Sequence, residues 1–274
     1  MDTVVKVADA GFSYNKLDRV FEKIDFSLTE GEILSILGPN GCGKTTLLNC
    51  INGQFKLKTG TILIENKNIT YMTPAEVGRK IGYVHQSHVP TFPYTVMEIV
   101  LMGRAPHLGV FSAPSKKDHK LAEEAIETLG IIHLKDRPYT GISGGEAQLV
   151  FMARALVAQP KVLLLDEPTS HLDLKNQMII LDVLCKLAKE KRIATIMSTH
   201  FPNHALSVSD KVLLMSRGKA AKVGSVEAVL TEGSLAQVFE MDIRLVKFKH
   251  KGNDVRTVVP IRHDFRINEK VTLK

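Results

Sequence analysis

Gly38, Pro39, Asn40, Gly41, Cys42, Gly43, Lys44 and Thr45 match the spacing G-x-x-x-x-G-K-[ST], and Thr46, Leu47 and Leu48 continue the pattern into a helix. Glycines at these positions let backbone N–H groups turn inward around a phosphate. Lys44 can neutralise β- and γ-phosphate oxygens, the Thr45 hydroxyl can ligate Mg2+, and the helix N-terminus adds its positive dipole. A second element, the apolar run Val162–Leu165, delivers Asp166 and Glu167 to the carboxyl edge of a strand, where doubly wound sheets bind ligands. Asp166 suits Mg2+ held through water, and Glu167 can polarise a water for attack on a γ-phosphate. A third element, Ile142, Ser143, Gly144, Gly145 and Glu146, opens a helical pattern and makes a second anion-binding helix tip. A single ATP in a monomer needs only the first tip. Two copies packed head to tail about a twofold axis use both, each ATP lying between one copy's phosphate loop and the other's residues 143–146.

These groups require particular elements beneath them. Ile33–Leu37 reads as a fully apolar strand feeding the phosphate loop, and segments 4–8, 20–28 and 61–65 alternate as antiparallel strands do. Segments 162–165 and 193–197 read as parallel strands covered on both sides. The helix between them places Ile179, Ile180, Val183, Leu184 and Leu187 on one face. From about 88 to 140 prolines punctuate the chain and helical patterns replace strands, which predicts an inserted helical lobe at about 88–158. Its surest helix starts at the Ser115 and Asp118 capping pair, repeats Leu121, Ala125 and Leu129, and stops at Gly130. The fold class is therefore α/β, a P-loop NTPase core with an N-terminal antiparallel β-subdomain and an inserted α-helical subdomain. Residues 1–243 read as one catalytic domain and 244–274 as a basic extension with a β-hairpin joined near 251–254.

The formal net charge of +7 is concentrated in that extension, where nine Lys and Arg face three acids. The remaining body is nearly neutral, which argues against a basic groove and a nucleic-acid partner. Lys247, Lys249 and Lys251 read as one solvated strand face protecting an edge, with attraction to an anionic membrane leaflet as the alternative. Neither a secretory signal nor an apolar run of the roughly 18 to 20 residues needed for a spanning helix is present, so action on a membrane requires a partner. Cys42, Cys50 and Cys185 lack ligand spacing and read as reduced thiols. The pairs His85 with His88 and His200 with His204 have no third ligand in view and are read as loop or surface groups rather than metal sites.

The motifs, in this order along nearly the whole chain, resemble those of ABC (ATP-binding cassette) ATPase subunits, and only one cassette is present. The resemblance implies ATP and Mg2+ as ligands, with Tyr14 stacking on adenine and Gln86 touching Mg2+ and sensing a membrane partner. It implies that Asp173 contacts across the dimer interface and that His200 is the switch histidine on the γ-phosphate. Two departures stand out. Ile142 replaces the more usual leucine, and Phe201 follows His200 where aspartate is common. Segment 95–107, the stretch Thr169, Ser170, His171, Leu172, Asp173 and Leu174, and the ending resemble subunits of siderophore, haem and cobalamin importers. Thr199, His200, Phe201, Pro202, Asn203 and His204 are similar to the molybdate or tungstate branch. The resemblance implies a homodimer of cassettes, two transmembrane permease subunits, an indirect substrate-binding protein, and a peripheral place on the cytoplasmic face of the inner membrane. A soluble ABC scaffold without a permease is the rival of another class.

Overall fold

The computed structural model describes residues 3–15, 19–86, 92–109, 111–217 and 221–261. His88, and Arg262, Arg266, Lys270 and Lys274 of the basic extension, lie outside the described residues. In chain order the first strands are β1 (Thr3–Ser13), β2 (Arg19–Thr29) and β3 (Ile33–Leu37), followed by helix α1 (Lys44–Ile51). Then come β4 (Thr59–Ile64), β5 (Lys67–Asn68), α2 (Pro74–Lys80) and β6 (Ile81–Val84). Three helices follow, α3 (Val96–Leu101), α4 (Lys116–Thr128) and α5 (Gly144–Leu156). The chain then alternates through β7 (Val162–Leu165), α6 (Leu174–Lys191), β8 (Ala194–Thr199), α7 (Pro202–Val208) and β9 (Lys211–Leu214). It ends with β10 (Lys222–Ser225), α8 (Val226–Val229), α9 (Glu232–Phe239), β11 (Ile243–His250) and β12 (Asn253–Pro260).

Two sheets share one core. β2, β1, β4 and β5 form an antiparallel sheet in that order, and their buried faces, including Val5, Val7, Ile24, Leu28, Ile62 and Ile64, pack with Leu47, Leu48 and Ile51 of α1. The second sheet has the order β10-β9-β3-β8-β7-β6, with β9, β3, β8, β7 and β6 parallel. β10 joins its edge antiparallel. β3, β7 and β8 are fully buried, which explains the apolar composition of β7 and most of β3, whereas β8 carries Thr195, Ser198 and Thr199 among its buried residues. β3 departs from the fully apolar reading at Ser35, which is buried and shares a 2.5 Å hydrogen bond with the Ser209 hydroxyl. On α6 the buried face is Ile180, Leu181, Leu184, Leu187 and Ala188, while Ile179 is exposed. The sheet therefore lies one position further along the helix than the sequence pattern suggests.

The helices α3, α4 and α5 bring Val96, Val100, Ala122, Ile126 and Val150, with Leu134, into one apolar cluster that continues into Leu163 and Leu165 of β7 and Ile180 and Leu184 of α6. Ser115 caps α4 with Asp118 in a reciprocal box, which satisfies two orphan N–H groups of its first turn. Residues 102–107 bolt this cluster to the core. Arg104 Nε donates to Asp118 at 2.8 Å and its Nη1 to the Val157 carbonyl at 3.1 Å, and His107 meets the Ala158 carbonyl at 3.0 Å. Arg79 of α2 donates to the Pro106 carbonyl from the other side at 2.8 Å.

β11 and β12 form a separate antiparallel hairpin whose Ile243, Leu245 and Val258 pack against Ala205, Leu235 and the end of β9. Asn203 of α7 clasps it, accepting from Val258 N at 2.7 Å and donating to Val258 O at 3.2 Å. Lys251 is not on the strand face with Lys247 and Lys249. It sits in the turn at φ 50°, beside Gly252 at φ 83°. No helix among the described residues is long and apolar enough to cross a membrane.

Candidate functional site

Parallel strands release their following residues at one edge, and here that edge collects the predicted groups. Neighbouring β9, β3, β8, β7 and β6 lead into residue 215, Gly38, His200, Asp166 with Glu167, and Gln86 respectively. Of these, Gln86 and Glu167 line a cleft of about 930 Å3, together with Tyr14, Arg19, Val20, Asn40, Gly41, Gly43, Lys44, Thr45, Thr46 and Arg217, whereas Gly38, Asp166 and His200 do not line it.

The phosphate loop depends on glycine at two points. Gly43 has φ 105°, a conformation that penalises any side chain, and a Cβ there would lie 2.6 Å from Val20. A Cβ on Gly38 would lie 2.3 Å from the Met215 carbonyl. The N-cap of α1 has no side-chain hydrogen bond, so its first N–H groups are open to an anion. Lys44 is buried and folds back, donating to the carbonyls of Gly38 at 3.0 Å and Pro39 at 3.2 Å. Cys42 is buried within the loop, and burial pushes its thiol up, so it is a packing group rather than a nucleophile. Thr45 is exposed to the cleft. Thr46 shares a 2.9 Å hydrogen bond with the Tyr14 hydroxyl, while the exposed Tyr14 ring is braced edge-on by Phe12 and Phe55.

Glu167 is the hub. One of its carboxylate oxygens meets Lys44 Nζ at 3.1 Å, and the other meets His200 Nδ1 at 3.1 Å and Gln86 Nε2 at 3.4 Å. Its backbone is held at φ 46°, a strained value for a non-glycine residue, and its N–H donates to Ser198 Oγ at 2.9 Å. That hydroxyl in turn donates to Asp166 at 2.6 Å. Ser198 thereby orients both acids, a positioning role that the sequence motifs do not signal because the residue looks like an ordinary strand serine. Asp166 is 3% exposed and Glu167 remains open to the cleft, so the two neighbouring acids occupy different environments.

The remaining predicted residues stand elsewhere. None of Ser143, Gly144, Gly145, Glu146 or Asp173 lines the cleft. Ser143 caps α5 by accepting from Glu146 N at 3.4 Å, and its backbone N–H and its hydroxyl donate back to the Glu146 carboxylate at 2.8 and 2.7 Å, which holds that carboxyl below the usual range. Asp173 caps α6 by accepting from Asn176 N at 2.8 Å. The Asn176 amide also bonds Asp173 at 3.0 Å and lies 2.8 Å from where a Gly145 Cβ would be. Asn176 thus couples the two helix tips within one subunit, another residue the motifs miss. Arg19, Val20 and Arg217 are further cleft residues that spacing alone does not reveal. Of the histidines read as non-ligands, His204 is buried and bonds Thr169 Oγ1 at 3.2 Å, and His85 stacks edge-on against Tyr83.

Known proteins resemble this chain in sequence and fold. The family model described as ABC transporter matches residues 21–170. The molybdate import ATP-binding protein of Haemophilus influenzae is 35% identical, covering 95% of this chain and 98% of that protein. The iron(3+)-hydroxamate import ATP-binding protein of Bacillus subtilis is 34% identical over 92% and 93% of the two chains. Among solved structures, a metal-chelate type ABC transporter in an inward-facing conformation superposes with a TM-score of 0.86 at 34% identity, covering 95% of this chain and 98% of that one. A dimeric bacterial ABC transporter cassette superposes with a TM-score of 0.69 at 27% identity over 81% and 98%. Phosphate loop, paired strand-end acids and a separate serine-glycine helix tip, in a chain matched nearly end to end by import cassettes, place this protein in the ABC transporter family as an ATP-binding subunit that hydrolyses ATP.

Proposed function

We propose that two copies of this chain close head to tail over two ATP molecules and thereby drive uptake of a metal chelate or corrinoid through a partner permease, at the cytoplasmic face of the inner membrane. Tyr14 stacks on adenine, and the backbone N–H groups of residues 40–46 with the Lys44 ammonium hold the phosphates. Thr45, Gln86 and Asp166 offer an all-oxygen donor set that suits Mg2+. Bound there, Mg2+ would neutralise charge on the β- and γ-phosphates. Glu167 takes the proton of the attacking water, and His200 bonds the γ-phosphate. Ser143, Gly144, Gly145 and Glu146 of one copy complete the other's pocket, with Asp173 beside them at the interface.

The observation that carries this reading is the convergence of Lys44, Gln86 and His200 on Glu167. Phosphates arriving in the loop compete for the Lys44 ammonium, which frees the carboxylate for water. Residues 1–243 form the catalytic cassette in this reading, residues 88–158 its partner-facing lobe, and residues 244–274 an appended extension, and a substrate-binding protein acts indirectly.

The cargo reading rests on the hydroxamate relative and the metal-chelate transporter structure. The molybdate relative, matched over almost its whole length, favours oxyanion uptake as the second reading. Co-purification with a permease from detergent-extracted membranes, then ATP-driven uptake by vesicles holding the complex, decides between them. Accumulation of a ferric hydroxamate, haem or cobalamin supports the first, and molybdate accumulation alone replaces it with the second. Absence of any membrane partner would leave the soluble-scaffold class standing instead.

A further inference from the structure

β9 runs parallel to β3 beside the phosphate loop, with Leu214 in register with Leu37. Met215 N donates to the Leu37 carbonyl at 2.8 Å, and the Met215 carbonyl fills the space a Cβ on Gly38 would need. The backbone two residues before Arg217 is thus fixed against the first glycine of the loop. Arg217 itself is exposed and lines the cleft.

Among the described residues, the three cationic side chains that line this cleft are committed differently. Arg19 is paired with Glu22 at 2.8 Å and Lys44 with Glu167 at 3.1 Å. Arg217 has no hydrogen bond or ion pair among the described residues. A guanidinium without a counter-ion at the carboxyl edge of a parallel sheet, its backbone anchored to a phosphate loop, is placed to receive an anion. We propose that Arg217 is a nucleotide-binding residue, pairing with phosphate oxygens of ATP or ADP from the β9 side within one subunit, before a twin completes the pocket. This rests on the nucleotide cleft described above and adds to it a contact outside the phosphate loop.

Titration of the subunit with ADP and with adenosine, for the wild type, Arg217→Ala and Arg217→Lys, tests the assignment. Arg217→Ala is expected to lose on the order of 10-fold in ADP affinity, the scale of one charge-assisted contact, while adenosine affinity stays unchanged. Arg217→Lys recovers part of the loss, because the charge returns without the planar fork. An unchanged ADP affinity in Arg217→Ala overturns the proposal. Equal losses for ADP and adenosine overturn it too, since they put the side chain on the base rather than the phosphates. Lys44→Ala separates this from the parent reading: if Lys44→Ala also binds ADP as the wild type does, the phosphate-loop assignment itself fails.

Discussion

Glu167 carries three contacts at once, and they define its resting condition. Lys44, His200 and Gln86 all reach its carboxylate, and Ser198 fixes its backbone. The Lys44 ammonium occupies one of the two carboxylate oxygens. In the proposed cycle, nucleotide phosphates compete for the Lys44 ammonium and loosen that tie. Glu167→Gln is therefore expected to bind ATP at least as well as the wild type, because the competing ion pair is gone. Its turnover should fall on the order of 10²-fold or more, the scale of positioned base catalysis. Single-turnover hydrolysis with a parallel ATP titration checks both halves. Unchanged turnover would remove Glu167 from the chemistry, and lost binding would mean that its role is structural.

At the scale of elements, the segment 102–107 explains why its sequence carries Gly103, Arg104, Pro106 and His107 together. Gly103 lies so close to α5 that a Cβ would stand 1.9 Å from the Arg154 carbonyl and 2.6 Å from Val157 Cγ1. Arg104 and His107 then hydrogen-bond the carbonyls of Val157 and Ala158, the two residues that follow α5. This staple joins residues 102–107 to the C-terminal end of the helix that Ser143 caps. Gly103→Ala is expected to destabilise the protein by about 1–3 kcal/mol through overpacking. Gly233→Ala, where nothing lies within 4 Å, is the control and should be neutral or slightly stabilising. Urea denaturation of both variants measures the difference, and equal midpoints would show that α5 can shift to make room.

At the scale of the molecule, the described residues include two glycine-containing helix tips, at Gly43 and at Ser143, and the cleft at the phosphate loop holds the first of them. Ser143, Gly144 and Gly145 open α5 outside that cleft. The dimeric cassette relative shows that such chains pair. With catalysis divided between copies, hydrolysis per subunit should rise with protein concentration in the dilute range and level off once dimers predominate. Steady-state ATPase assays over a wide dilution series measure this. A rate per subunit that stays constant down to strictly monomeric protein contradicts the divided site.

The sequence by itself determined the chemistry and most of the scaffold. Glycine spacing around Lys44, acids ending an apolar run, and Ser143 before a helix are local patterns, because a turn, a strand end and a helix cap are each specified by adjacent residues. The Ser115 and Asp118 cap is legible for the same reason. What the tertiary structure decided is which of these local pieces meet. Strand order puts Gln86, Glu167, His200, Gly38 and Arg217 on one edge although they span most of the chain, and hydrogen bonding between strands far apart in sequence sets that order. The roles of Ser198 and Asn176, the exposure of Ile179 and the turn position of Lys251 follow from packing between elements, which no single stretch of residues encodes.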